Sequence, residues 1–407
     1  MNFLKKIKKL KTTKDFYKYQ AQTSPNPLEI EVKYAEGSYI IDNNGTKYLD
    51  FIAGVSACVL GHRHPKVIKA IKDQLDKYMH VMVYGEFITK PSLNLTKILA
   101  KNLPKNLNST YLTNSGTEAI EGAIKLARRF TGRQEIIGAN NAYHGSTLGA
   151  LTLMGLEERK KPFKPLLPEV KFINFNDFED ISKISNKTAA VILETIQGGA
   201  GFIEPKNNYL SIVRKKCDQV GALLILDEIQ PGIGRTGKFF GFENYDCIPD
   251  IVVCGKGLGG GLPIGAFIST KKIMNSLSNN PILGHITTFG GNPIICASAL
   301  ETIKILTKSS LIKETLIKEE LIKRLLKHKL IEEIRGKGLM LALILKNSEI
   351  ANKLVLKAKE NNLLLFWLLF EKRAVRITPP LTISKKEIEI GCNKIIILLN
   401  EIALDVN

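Results

Sequence analysis

Long hydrophobic runs are missing from this sequence. The longest, Leu363 to Phe370, has eight residues, whereas a helix needs about 20 apolar residues to cross a bilayer, so no membrane partner is expected. Cysteine is sparse as well. Six are scattered along 407 residues, at 58, 217, 247, 254, 296 and 392. None forms a C-x-x-C pair, which excludes a zinc site or a disulfide framework and points to free thiols in a reducing compartment. The lysine-rich run at Lys5, Lys6, Lys8, Lys9, Lys11, Lys14 and Lys18 has neither the apolar stretch of a secretory signal nor the arginines of a transit peptide. It reads as a solvated arm, and the expected location is the cytoplasm.

Arginine is scarce too. It supplies 11 of the 58 basic residues, leaving 47 lysines against 39 acids and a net charge of +19. Such a surplus can mark a nucleic-acid partner. Here the lysines are spread along the chain, with no aromatic–basic motif, zinc-finger spacing or heptad array beside them, and a lysine-rich codon bias on surface positions accounts for them. No nucleic-acid partner is expected; a basic nucleic-acid-binding protein remains the alternative from another class. What the chain does have is a globular profile: 44% hydrophobic, 24% charged and a mean hydropathy near zero. At this length that implies more than one small core.

The order of elements points to an α/β fold. Short β-rich runs at 38–41 and 46–51 flank the turn Asp42-Asn43-Asn44-Gly45, so an arm and a short hairpin fill residues 1–60. Between 61 and 295, helix-period stretches alternate with strand candidates at 109–113, 135–138, 170–173, 189–193, 222–226, 251–254 and 266–269. Continuous Val, Ile and Leu runs suit parallel strands covered on both faces by crossover helices, with ligands at the strands' carboxyl ends. From 296 to 407 the pattern becomes a long Lys/Glu-rich helical stretch to His328, strands at 338–345 and 363–370, and a closing helix after Ser384, a smaller α+β domain.

Two glycine motifs are decoys. Gly232 to Phe239 nearly spells a P-loop, but Phe239 stands where a magnesium-binding hydroxyl is needed. Gly255 to Gly260 matches G-x-G-x-x-G, yet it lies past mid-chain with no acid about 20 residues on. A better account joins strand ends. The run at 109–113 leads into Asn114-Ser115-Gly116-Thr117-Glu118-Ala119, small and hydroxylic residues opening a helix, which make a phosphate seat or an ordinary cap. The run at 222–226 ends at Asp227, and the run at 251–254 ends at Gly255-Lys256-Gly257. A lysine in a desolvated cleft becomes a nucleophilic amine. Phosphate seat, strand-end Asp and glycine-flanked lysine together fit pyridoxal 5'-phosphate, which needs a lysine for its aldehyde and a carboxylate for its ring nitrogen.

With these residues in place, the sequence resembles the class III pyridoxal-phosphate aminotransferases, the acetylornithine/ornithine group, from about Tyr39 to Thr382. The stretches that carry the resemblance are Gly61-His-Arg-His-Pro65, Asn114 to Ala119, Tyr143-His-Gly145, Glu194-Thr-Ile-Gln-Gly198, Asp227-Glu-Ile-Gln230, Gly234-Arg-Thr-Gly237, Gly255 to Pro263, Thr287 to Pro293 and Arg335-Gly-Lys-Gly338. The resemblance implies a fold-type I transferase: a large domain with a mostly parallel sheet flanked by helices, plus a smaller α+β domain. It implies that Lys256 bonds to the cofactor and shuttles the substrate proton, and that Asp227 keeps the ring nitrogen protonated. Gln230 would face the phenolic oxygen, Tyr143 would stack on the ring, and Ser115, Gly116 and Thr117 would grip the phosphate. His144 and Glu194 would support them. Thr288 would reach the neighbouring subunit's phosphate site, making a homodimer with shared active sites.

Two departures bear on substrate. Tyr-His-Gly is usually followed in this group by an arginine for a substrate carboxylate; here Ser146 stands there. Gln-Gly is often followed by a Glu that pairs with an arginine of the small domain; here Gly199 follows, while that arginine is present as Arg376. Arg376, with Thr287 and Ser146, is therefore expected to bind substrate. The expected reaction moves an amino group between an amino acid or N-acylated diamino acid (N-acetylornithine or N-succinyl-diaminopimelate) and 2-oxoglutarate, in arginine or lysine biosynthesis. The alternatives are ornithine, lysine or 4-aminobutyrate ω-aminotransferase or aminomutase chemistry on the same scaffold.

Overall fold

A computed structural model describes residues 12–405, so Lys5, Lys6, Lys8, Lys9 and Lys11 of the basic run lie outside the described residues. Fifteen strands are named among those residues: β1 Val32–Glu36, β2 Tyr39–Asp42, β3 Lys47–Asp50, β4 Ser109–Thr113, β5 Glu135–Ala139, β6 Val170–Ile173, β7 Thr188–Glu194, β8 Leu223–Asp227, β9 Ile251–Gly255, β10 Gly265–Ser269, β11 Ile331–Lys337, β12 Met340–Leu345, β13 Leu363–Leu364, β14 Phe366–Trp367 and β15 Ala374–Ile377.

The central sheet has seven strands in the order β4-β10-β9-β8-β7-β5-β6. Both faces are apolar because side chains alternate along each strand. Ala190 and Ile192 of β7, Leu223 and Ile225 of β8, and Ile251 and Val253 of β9 pack on the helix Gly116–Thr131 with Ile120, Ile124 and Ala127. Their neighbours Val191, Leu193, Leu224, Leu226, Val252 and Cys254 join the core on the opposite face, with Val213 and Cys217 of the helix Tyr209–Val220. Strand β10 corrects the parallel expectation for 266–269. It runs antiparallel to both β4 and β9, and its run of buried residues looks the same in sequence because burial on two faces, not direction, sets that pattern.

Two further sheets frame the large one. Strand β1, not expected from the sequence, extends the hairpin β2–β3, and β13 adds to it in parallel from the far end of the chain, pairing Leu363 with Leu49. The C-terminal sheet has the order β11-β12-β15-β14. The apolar run at 363–370 is thus not one strand: its first half joins the N-terminal sheet, and Phe366 and Trp367 join the C-terminal one. The helical stretch expected through His328 is two helices, Pro293–Lys308 and Leu311–Leu325. The extended backbone of Ser309 (φ −118°, ψ 172°) ends the first, and the Ser310 hydroxyl bonds Glu314 in the first turn of the second. Among the described residues, no helix is long and apolar enough to cross a membrane.

Candidate active site

The carboxyl ends of β4, β7, β8 and β9 converge. Glu194 and Asp227, the last residues of β7 and β8, lie side by side in register, and Lys256 directly follows β9. Gly265 opens β10 level with Thr113 and Gly255. A Cβ there would lie 2.0 Å from the Ser115 carbonyl, so glycine is what lets the strand ends close together. They surround a cavity of about 490 Å³ lined by Gly116, Thr117, Tyr143, His144, Ser146, Glu194, Gly199, Asp227, Gln230, Lys256 and Arg376, among others.

Ser115 is the cap of the helix Gly116–Thr131; its hydroxyl accepts from the Glu118 N–H at 3.2 Å. Gly116 and Thr117 open that helix, and a helix's first N–H groups have no partner within it, so the dipole's positive end meets the cavity. The Thr117 hydroxyl is 2.8 Å from that of Thr147. The capping and anion-seat readings therefore divide between adjacent residues.

On the cavity floor, Asp227 is buried and holds two bonds: His144 Nδ1 lies 2.7 Å from one oxygen, and the Ile229 N–H donates to the other at 2.9 Å. Burial disfavours a cationic His144, but the hydrogen bond and the charge of Asp227 outweigh it and raise its pKa. His144 Nε2 is buried without a protein partner. Glu194 accepts the N–H groups of Tyr143 at 3.1 Å and Gly198 at 3.0 Å. Burial, helped by the nearby Asp227 charge, lifts its carboxyl to about 7 against the opposing pull of His144 and of those two N–H groups. Gln230 donates to Ser56 at 3.3 Å. The Tyr143 and Ser146 hydroxyls lie 3.3 Å apart.

Lys256 is held with a positive φ of 40°, uncommon for a side chain larger than glycine. Burial lowers its pKa, and the Arg376 charge pushes the same way, while Asp227 and Glu194 oppose. Arg376 is 6% exposed on β15, between β12 and β14, so it is not an edge-strand surface cation. Its Nε donates to the Trp367 carbonyl at 3.2 Å, Nη1 has no partner, and burial lowers its pKa to about 10.

Thr287 and Thr288 stand apart. Thr287 accepts a 2.8 Å bond from the Asn114 side chain, Thr288 is exposed, and neither lines the cavity within this chain. Sequence reasoning missed the apolar wall formed by Val55, Ile229, Phe366 and Leu369. No periodic signal marks it, because its residues come from a turn, a strand end and a split run. It also missed what stands beside Gly199. A Cβ there would lie 2.7 Å from the Phe370 ring, and the Phe370 N–H donates to the Gly199 carbonyl at 3.0 Å. An aromatic ring thus packs against the backbone at Gly199.

Comparison with known proteins decides the family: the model for aminotransferase class III matches residues 19–399. The chain belongs to the class III aminotransferases. Among curated members, acetylornithine aminotransferase of Clostridium acetobutylicum is 40% identical over 370 residues, 87% of this chain and 92% of that protein. Putrescine aminotransferase of Pectobacterium atrosepticum is 38% identical over 91% of this chain and 82% of its own. The crystal structure of ornithine aminotransferase from Toxoplasma gondii ME49 superposes with a TM-score of 0.90 at 29% identity, covering 98% of this chain and 96% of that one.

As a class III aminotransferase the protein depends on pyridoxal phosphate, and the residues present fit that group. The cavity brings together an amine of lowered pKa, a buried carboxylate and a helix N-terminus opened by glycine. These are partners for an aldehyde, a ring nitrogen and a phosphate respectively.

Proposed function

We propose that this aminotransferase moves an amino group from N-acetylornithine, or a similar N-acylated diamino acid, to 2-oxoglutarate in amino-acid biosynthesis. The observation that carries the reading is one cavity holding both a lysine of lowered pKa and a buried guanidinium with a free Nη1. Acetylornithine aminotransferases 38–40% identical to this chain support the donor.

Pyridoxal phosphate, when bound, withdraws electrons from the substrate's reacting carbon. In this reading Lys256 would hold the cofactor through its aldehyde and would take and return the substrate proton. Burial favours its neutral, proton-accepting form. Asp227 would keep a proton on the ring nitrogen, and His144, 2.7 Å from one of its oxygens, would steer that carboxylate. Tyr143 would cover the ring, Gln230 would face its oxygen, and Ser115, Gly116 and Thr117 would hold the phosphate. Glu194 fixes the backbone at Tyr143 and Gly198. Arg376 would fork onto the acceptor's carboxylate through two N–H groups, with Ser146 at the substrate boundary and Thr287 brought to it from a partner copy.

The same reading makes the enzyme a cytoplasmic homodimer with shared sites. Met79, Phe87, Ile88, Ile286 and Phe289 are more than half exposed. Two of them are tied together, with Phe289 against His80 and Asn292 bonding the Met79 carbonyl, so they give a partner copy an apolar surface near Thr288. The chain is divided near 60 and 295, and the cavity draws Val55, the strand ends and Arg376 from the three parts.

A diamine donor is the second reading, favoured by Ser146 and the wall of Val55, Phe366 and Leu369, which give a donor carboxylate no cation. Adding N-acetylornithine or putrescine separately to the holoenzyme without acceptor separates the two. A shift of the visible cofactor band with N-acetylornithine is expected. A shift with putrescine alone moves the assignment to the diamine, and no shift with either overturns both.

A further inference from the structure

The hairpin of β14 and β15 is packed at its base and thinly held at its tip. Leu368 joins an apolar cluster with Ile196, Phe202 and Met340, and the Trp367 indole donates to the Asn352 side chain at 2.7 Å. Beyond Leu368 the apolar packing stops. Leu369 lines the catalytic cavity yet is 41% exposed, and Phe366, also on that wall, is 37% exposed, so burial alone does not set their positions. Strand β14 has two residues, at the edge of the C-terminal sheet, and so short a ribbon is marginal by itself. The same hairpin places Arg376, whose Nε donates to the Trp367 carbonyl at 3.2 Å.

What ties the tip down comes from the large domain. Arg159, on the helix Glu157–Lys160, donates through Nη2 to the Leu369 carbonyl at 3.0 Å, and its guanidinium lies 5.3 Å from the centre of the Phe370 ring. The next residue is tied as well, since the Phe370 N–H donates to the Gly199 carbonyl at 3.0 Å. Successive residues of the tip are thus bound to two different parts of the large domain. Arg159 pairs with no carboxylate among the described residues. Glu157 on its own helix is taken by Lys160 and Lys164, and Glu371 on the hairpin by Arg373 and Arg335. The charge of Arg159 is left to the carbonyl and the ring.

We propose that Arg159 is a positioning residue for substrate: it latches the β14–β15 hairpin onto the large domain and so fixes both the Leu369 wall and Arg376. The inference rests on the reading of Arg376 as the carboxylate site. The groups assigned to the chemistry stand elsewhere. Glu194 and Asp227 end strands of the central sheet, and Lys256 directly follows β9, so they keep their places when the hairpin loosens. A loosened hairpin therefore weakens substrate binding more than it slows proton transfer.

Removing the guanidinium leaves the Leu369 carbonyl without its donor and the Phe370 ring without its cation, with the Phe370–Gly199 bond to hold the tip. A segment with few buried apolar contacts opens locally at small cost. Opening draws Leu369 away from the cavity and shifts the Trp367 carbonyl on which Arg376 leans. Lysine at position 159 can still donate to a carbonyl and sit over a ring, so it should keep the latch.

The test compares the holoenzymes of wild type, Arg159→Ala and Arg159→Lys. Hydrogen exchange across residues 366–373, read by mass without substrate, should be about tenfold faster in Arg159→Ala, the loss of one charge-assisted hydrogen bond, and close to wild type in Arg159→Lys. Glutarate, a dicarboxylate with no keto group to react, is then titrated against the fluorescence of Trp367, the one tryptophan of the chain. Arg159→Ala should bind it about five- to tenfold more weakly, with a matching rise in KM for 2-oxoglutarate and with kcat and the visible cofactor band near wild type. Equal exchange in all three enzymes overturns the latch. Faster exchange with unchanged glutarate affinity and KM makes Arg159 structural and overturns its positioning role. Wild-type enzyme that binds no glutarate while the exchange difference stands overturns the Arg376 reading and supports the latch.

Discussion

Replacing Arg376 with alanine should move stability and catalysis in opposite directions. In the substrate-free enzyme the guanidinium is 6% exposed, holds one bond to the Trp367 carbonyl and has no carboxylate within ion-pair distance. Burial lowers its pKa from 12.5 to about 10, which corresponds to a cost of about 3 kcal/mol for keeping that charge out of water, at 1.36 kcal/mol per pH unit. Removing the charge returns much of this, against about 1–2 kcal/mol of lost stem packing. The variant should therefore unfold at the same temperature or a few degrees higher. In the proposed reaction, 2-oxoglutarate would give the same charge a carboxylate and two forked bonds. Truncating one side of such a desolvated pair costs about 2–5 kcal/mol, or roughly 30- to 5,000-fold in kcat/KM at 1.36 kcal/mol per decade. Arg376→Lys should fall in between, because a point charge replaces a planar fork. The assays are thermal unfolding of the two enzymes without substrate and steady-state kinetics with 2-oxoglutarate as the varied substrate. Equal kcat/KM in wild type and Arg376→Ala would remove Arg376 from substrate binding and send the search to the turn around Val55. A large loss of stability in the variant would show the arginine to be structural.

Lys256→Ala should lower turnover by several orders of magnitude, since both the bond to the cofactor and the proton shuttle vanish; near-normal rates in single-turnover assays would refute the assignment. Asp227→Asn should still bind cofactor but slow substrate proton removal, because an amide holds the ring nitrogen without a charge to keep it protonated; an unchanged single-turnover rate removes Asp227 from the mechanism. Mixing Lys256→Ala with Thr288→Ala chains under conditions of subunit exchange should rebuild one working site per heterodimer, and no recovery despite exchange contradicts the shared site. Stability should fall as pH rises from about 4.5 to 7, because burial raises Glu194 and Glu228 to about 7. The folded protein then holds protons that the unfolded chain has released. Glu228→Gln should flatten that slope in pH-dependent thermal unfolding, and an unaltered slope would mean that Glu228 is ionised throughout.

The sequence by itself determined the fold class, the strand ends that would meet and the motifs of the family. These rest on local signals: apolar runs bounded by turns, and residue types at fixed spacing such as Asp227 at the end of one run and Lys256 between glycines. Tertiary structure alone decided the rest. The direction of β10, the split of 363–370 between two sheets and the packing of Phe370 on Gly199 depend on partners distant in the chain, and side-chain pattern does not encode a partner's identity. The state of Arg376 is the clearest case. A lone arginine on a short strand reads the same whether it lies at an edge or inside. Only the packing of β12 and β14 on either side buries it, leaves Nη1 unpaired and lowers its pKa to about 10.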